Sequence, residues 1–239
     1  MTAVILAAGV SSRLRPLTTD TPKSLLEVGD KPLLQRNLET LKQEGITRCV
    51  IITGYLQEMI ESFVHSLRPG IEIEFIYNPV YEQTNNNYSL WLARPAVDGQ
   101  EIVLLDADIL FDRRILSRLL ASSHKDALIM RASDHLGHEE IKCELDDEGA
   151  VVKIGKHLDP KKSAGESLGI EKFSATTTSK LFDVLSRRHV HDEFYEASFQ
   201  EVIDNGARIF AVESDGLPCM EIDTPDDLAA AEELAKKLQ

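Results

Sequence analysis

Cysteine is scarce: Cys49, Cys143 and Cys219 are the three in 239 residues, far apart and without a CxxC pair. That count excludes a disulfide framework and a cysteine zinc site, and it predicts buried, reduced thiols. No run approaches the roughly eighteen apolar residues of a membrane span. AVILAA (3–8) is too short for the apolar region of a signal peptide and meets arginines, not a cleavage site. A soluble, cytoplasmic protein with no membrane insertion is expected. Positive charge is also in short supply: 26 Lys and Arg face 40 Asp and Glu, a net charge of -14. This argues against nucleic acid, whose phosphates select basic faces, and against anionic membrane surfaces. No Pro/Ser/Gly linker, repeat or low-complexity segment divides the chain, so one domain is expected over 1–239. With 43% apolar residues it can bury a core. No coiled-coil seam sets the oligomeric state, and a homodimer is left open.

Against this acidic background VILAAGVSSRLRPLTTDTPKSL (4–25) stands out, with Gly9, two serines, Arg13, Arg15 and Lys23 and few acids. A strand that runs into a small-residue loop with an arginine is suited to phosphate. Backbone N–H groups approach the anion and the guanidinium supplies a fork of donors. Both GxxxxGK[ST] and GxGxxG are missing, so neither a Walker loop nor a dinucleotide fingerprint is present. A solvated basic loop is the competing reading.

Strands and helices alternate through the first half. AVILAA, RCVIIT (48–53), IEIEFIY (71–77) and EIVLLDAD (101–108) read as strands. Pro32 opens a helix with Leu34, Leu38 and Leu41 on one face and Gly45 as its stop. A second follows at 55–67, NYSLWLARP reads as a short helix closed before Pro95, and another lies at 113–123. The alternation predicts an α/β fold: a mainly parallel sheet with helices on both faces, binding ligand beyond the strands' carboxyl ends. The loop after Ala8 and the acids after Leu105 then share one rim. Past 126 the pattern turns β-rich. DALIMRAS, IKCELDD and VVKIGK, with DDEG as a turn, suggest an inserted or appended substrate region. A strand at 167–173, helices at 175–187 and 194–205, a strand at 208–214 and a last helix from Thr224 follow.

Asp106 and Asp108 end a buried strand, and Asp223 stands before the last helix. Mg²⁺ prefers carboxylate oxygens shared with substrate phosphates. Asp106 also reads as a structural acid, and Asp223 as a plain N-cap.

LAAGVSSRLRPLTTDTPKSL (6–25), LLDAD (104–108) and EIDTPDDL (221–228) together, in this order, resemble the signature of the nucleotidyltransferases. These join a nucleoside triphosphate to a phosphorylated small molecule and release pyrophosphate. The resemblance implies a Rossmann-like fold of the nucleotide-diphospho-sugar transferase type, with a nucleotide half (1–110) and an acceptor half (111–239). Leu6, Ala7, Ala8, Gly9, Val10, Ser11 and Ser12 would form the nucleotide loop. Arg13 would hold the triphosphate, Lys23 would face the α-phosphate, and Asp108 and Asp223 would hold Mg²⁺. Many relatives carry Gly where this chain has Ser11, so a left-handed backbone there would carry a cost.

YEQTNNNYSLWLA (81–93), VVKIGK (151–156) and GESLGIEKFS (165–174) resemble the phosphocholine cytidylyltransferase branch. That implies CTP, with Asn86 among the nucleotide contacts and a small phosphorylated or phosphonate acceptor met by Lys156 and Glu166. An ammonium head group would want aromatic faces or carboxylates, and Tyr88, Trp91, Phe173, Tyr195, Glu82 and Glu196 are available. For Trp91, core packing of a short helix is favoured over a cation cage. His189 and His191 read as loop histidines, since nothing completes a metal site. A sugar-1-phosphate enzyme using UTP or dTTP is the alternative within the class. A non-catalytic nucleotide-sensing domain is the alternative outside it, although such a domain has no reason to keep Arg13, Lys23, Asp108 and Asp223 together.

Overall fold

The computed structural model describes residues 1–133, 135–189 and 192–238. His191 lies outside them. In chain order the first half contains β1 (Thr2–Ala7), β2 (Glu27–Val28), β3 (Lys31–Pro32), α1 (Leu33–Gln43), β4 (Arg48–Thr53), α2 (Gln57–Leu67), β5 (Glu72–Tyr77), α3 (Asn86–Leu92), α4 (Arg94–Val97) and β6 (Ile102–Asp106). The second contains β7 (Ile109–Phe111), α5 (Arg113–Ala121), β8 (Ala127–Ala132), β9 (Lys142–Leu145), β10 (Val151–Gly155), β11 (Gly165–Phe173), α6 (Ala175–Arg188), α7 (Glu196–Asp204), β12 (Phe210–Glu213), β13 (Cys219–Glu221) and α8 (Pro225–Ala235). None of the described helices is long and apolar enough to cross a membrane.

A large central sheet runs β10-β9-β11-β6-β1-β4-β5, with β8 on β11 and β12 on β8. The strands of the first half, β6-β1-β4-β5, are parallel throughout. While the edge strand β5 alternates Glu72 and Glu74 with apolar residues, β6, β1 and β4 are apolar on both faces because helices cover both. Successive β1 residues show this: Ala3, Ile5 and Ala7 pack into one core, and Val4 and Leu6 into the other. Each fully buried aliphatic side chain of this kind stabilises the fold by roughly 1.5–3 kcal/mol.

The β-rich stretch is appended to the main sheet: β11 pairs antiparallel with β6 and extends it. It crosses from one half to the other through a register shift between Ser167 and Glu171, with Gly169 at φ +66°. The short helix closes before Pro95 as expected, α3 ending at Leu92, and Pro95 then occupies the first turn of α4, where its missing N–H costs nothing.

Gly169 also shapes the site beneath it. A Cβ there would stand 2.8 Å from both Asp106 Oδ2 and Ile109 Cδ1, on a left-handed backbone. We expect Gly169→Ala to destabilise the protein by about 2–4 kcal/mol, combining backbone strain with overpacking. Thermal or urea unfolding checks this, and an unchanged midpoint would refute it.

A third, smaller core decides where the termini meet. Leu14, Leu26, Val28 and Leu33 from the first 33 residues pack with Leu110, Ile222, Ala231 and Ala235. β13 pairs antiparallel with β7, Glu221 opposite Ile109, so the last helix starts beside the end of β6.

Candidate active site

A cavity of about 580 Å³ opens over the carboxyl ends of β1 and β6. One wall is the loop after β1, with Leu6, Ala7, Ala8, Gly9, Ser11 and Arg13. A second carries Tyr81, Thr84, Asn85, Asn86 and Ser89. The far end is built from Arg131, Glu139, Glu140, Lys156, Glu166, Phe194, Glu196 and Glu221.

At its centre Lys23, 7% exposed, joins three parts of the chain. Its ammonium donates to Asp108 Oδ2 at 2.7 Å and to Asp223 Oδ1 at 2.6 Å. Arg13 Nη2 reaches the other oxygen of Asp223 at 2.7 Å. Burial disfavours charge on Lys23, but the two carboxylates more than offset that and its pKa is raised. Burial likewise works against the Asp223 carboxylate, yet Lys23 and then Arg13 hold its pKa below the ordinary value. The two shifts run in opposite directions, each favouring the charged form, as an ion pair requires.

Asp223 is not the N-cap of α8. Thr224 takes that role: its hydroxyl accepts from the Asp227 N–H at 3.2 Å, and Asp227 Oδ2 accepts from the Thr224 N–H at 2.8 Å. The capping box leaves the Asp223 carboxylate to the cavity. Ser11 has φ 51° and ψ 50°, a left-handed conformation costing roughly 1–2 kcal/mol for a non-glycine residue. Its carbonyl accepts from Thr18 Oγ1 at 2.8 Å, which ties the loop back on itself.

The far end is acidic. Burial pushes the Glu196 carboxyl up to about 7, with nearby Glu221 adding to it and Lys156 opposing. Glu221 is also pushed up to about 7, by burial and then by Asp108 and Asp223. Asp106 is fixed by the Tyr195 hydroxyl, which donates to its Oδ2 at 2.8 Å. Burial and then Asp108 raise its pKa well above the ordinary value.

The structure brings Leu6, Ala7, Ala8, Gly9, Ser11, Arg13, Lys23, Asn86, Asp108, Lys156, Glu166, Glu196 and Asp223 to one cavity. Seven expected residues lie outside its lining. Val10 is half-buried and Ser12, at the start of a short 3₁₀ turn, is exposed to solvent. Trp91 stacks on His189, with ring centroids 3.9 Å apart, and Tyr88 tilts against both. Tyr195 is fully buried beneath the cavity with its hydroxyl spent on Asp106. Phe173, also fully buried, packs edge-on to Phe199, and exposed Glu82 is outside the lining as well. Asn86 does line the cavity, but its Oδ1 accepts from the Tyr195 N–H at 2.8 Å and joins α3 to α7.

Sequence reasoning missed Glu221, Arg131, Glu139 and Glu140. The signal for Glu221 was present: it precedes Asp223 by two, as Asp106 precedes Asp108, and extended chains put such pairs on one side. Arg131, a charge closing the apolar run of β8, was legible in the same way. Glu139 and Glu140 sit in a loop with no pattern to read.

Residues 2–139 match the family described as Nucleotidyl transferase. The choline-phosphate cytidylyltransferase of Streptococcus pneumoniae is 28% identical over 240 residues, covering 99% of each chain. The CTP:phosphoglutamine cytidylyltransferase of Campylobacter jejuni is 28% identical over 252 residues, 95% of this chain and 98% of the relative. Among solved structures, the CTP:phosphocholine cytidylyltransferase of Streptococcus pneumoniae superposes with a TM-score of 0.76 at 26% identity, covering 98% of both chains. The family match spans more than half of the chain and includes the loop, Lys23 and Asp108: this protein belongs to the nucleotidyl transferase family of enzymes.

Proposed function

We propose that the protein is a cytidylyltransferase that joins CTP to a small phosphorylated or phosphonate acceptor, of the phosphocholine or 2-aminoethylphosphonate type, and releases pyrophosphate. The observation that carries this is the convergence of Lys23, Arg13, Asp108 and Asp223 at the centre of one cavity. Support for CTP comes from the two relatives, which share the nucleotide while their named acceptors differ.

In this reading the loop from Leu6 to Ser11 lies along the nucleotide, with backbone N–H groups toward its phosphates. Arg13 swings from Asp223 to the triphosphate, and Lys23 meets the α-phosphate. The acceptor's phosphate or phosphonate oxygen attacks the α-phosphorus in line as the bond to pyrophosphate breaks. No side chain forms a covalent bond, so catalysis rests on positioning and on charge placed in advance. Lys156 and Arg131 supply the positive charge that would hold the acceptor's anionic end.

Mg²⁺ fits the residues present. Asp108 and Asp223 offer hard oxygen donors, each about a third exposed toward the cavity, and a lysine ammonium already bridges them. Among the described residues no three His, Cys, Asp or Glu side chains converge as a metal site. Two carboxylates completed by substrate phosphates is a usual arrangement for this ion. When bound, it would neutralise phosphate charge that Lys23 and Arg13 alone leave unbalanced.

The test is pyrophosphate release with Mg²⁺ and each triphosphate in turn, against amine-bearing and sugar phosphates. Turnover confined to CTP is expected; turnover with UTP or dTTP and a sugar phosphate would overturn the reading.

A further inference from the structure

At the cavity's far end one oxygen of a buried carboxylate has no partner. Glu196 is 7% exposed and lines the cavity, and its Oε2 has no hydrogen-bond partner. Glu140 Oε2, shielded from solvent on the same cavity, is also without one. Buried acceptors left unpaired cost free energy, so the pattern calls for donors from a ligand. The nearby basic groups are already engaged. Arg131 pairs with Glu166 at 2.6 Å, and Lys156 with Glu139 at 3.3 Å.

The anchoring of Glu196 is firm. It begins α7, where the preceding Tyr195 is held at its N–H by Asn86 and at its hydroxyl by Asp106. The backbone from which the Glu196 carboxylate projects is thereby fixed beside the cavity.

An aromatic cage, the usual host of a quaternary ammonium, is not built here. Among the described residues only Tyr81 and Phe194 bring aromatic rings to the cavity, and the Lys156 ammonium already stands 4.6 Å over Phe194.

We infer that the acceptor carries an ammonium with N–H hydrogens, a primary or singly methylated amine, and that Glu196 reads those hydrogens and so selects against the trimethylated head group. This rests on the cytidylyltransferase reading and narrows its acceptor. A primary ammonium brings three donors and a charge, which satisfies Glu196 and offsets the surplus of acid beside it. A trimethylammonium brings the charge alone and leaves the oxygen unpaired.

The experiment is pyrophosphate release with CTP and Mg²⁺ along one series: phosphoethanolamine, its N-methyl and N,N-dimethyl forms, and phosphocholine. Losing a charge-assisted hydrogen bond should lower kcat/KM about ten- to a hundredfold from first to last. Glu196→Gln should flatten the series while the KM for CTP stays unchanged. Calorimetric binding of CDP-ethanolamine against CDP-choline reads the same preference without turnover. Equal or better use of phosphocholine, or an E196Q variant that keeps the wild-type discrimination, would overturn the inference and leave the cytidylyltransferase reading standing. An E196Q defect repaired by raising Mg²⁺ would also overturn it, because the carboxylate would then serve the ion. Silence along the whole series, with neither product bound, would overturn the reading and this inference together.

Discussion

Replacing Lys23 by alanine should lower turnover by about two to three powers of ten, the scale of losing one preorganised donor at a site of developing charge. The structure adds a second consequence. Lys23 holds two carboxylates together, at 2.7 and 2.6 Å, and without it Asp108 and Asp223 face one another unneutralised. Removing one member of a fully buried ion pair costs roughly 3–5 kcal/mol. Here both acids keep about a third of their surface in solvent, so about 2 kcal/mol is expected. The metal-free Lys23→Ala protein should therefore melt below the wild type, and Mg²⁺ should raise its Tm by more than it raises the wild type's. Pyrophosphate release and thermal unfolding, each with and without Mg²⁺, check both halves. Wild-type turnover, or a variant that melts normally and ignores Mg²⁺, would remove Lys23 from the centre of the site.

The same contact explains which parts of the protein were legible in its sequence. β1, β4 and β6 are buried on both faces, and a strand in that position has to be apolar throughout; AVILAA, RCVIIT and IVLLD announce themselves. The residues after those strands fall on one rim because parallel strands all end on the same side. Thus the loop after Ala8 and the acids Asp106 and Asp108 can be placed on one rim from the strand pattern, whereas Lys23 and Asp223 are joined to them by the family resemblance alone. The aromatic candidates failed for an equally physical reason. Trp91 is half-buried in α3 and Tyr195 fully buried just before α7, and the sequence does not show what either packs against. Trp91 found His189 and Tyr195 found Asp106, partners 98 and 89 residues away in the chain. Neither partner was readable. The same limit hid the sheet's second half. Whether β11 extends the main sheet or begins another depends on its pairing with β6, and an apolar strand carries no mark of its neighbour.

What remains local is what the chain encodes in turns and caps. Thr224 and Asp227 close the capping box around Pro225, and that small motif frees Asp223. The core of Leu14, Leu26, Ile222 and Ala231 then holds the freed carboxylate against Lys23, 200 residues away in sequence. Neither device touches the substrate, but both are needed for the charges to meet.

Asp223→Asn separates these roles, and it should be the most damaging single substitution in the cavity. Its two oxygens are divided between Lys23 and Arg13, and the proposed Mg²⁺ draws on the same carboxylate. Charge stabilisation by a catalytic metal is worth several kcal/mol, so turnover should fall by about three powers of ten. Stability should hardly change. Thr224 keeps the cap, Lys23 keeps Asp108, and Arg13 is already largely in solvent. Thr224→Ala is the matching control: losing the cap should cost about 1 kcal/mol and lower Tm. The two variants should cross. Asp223→Asn should keep its Tm but lose the rise that Mg²⁺ and CTP produce, whereas Thr224→Ala should lose Tm but keep the rise. If Asp223→Asn retains that rise and turns over within tenfold of the wild type, its carboxylate serves only to hold Lys23 and Arg13 at rest.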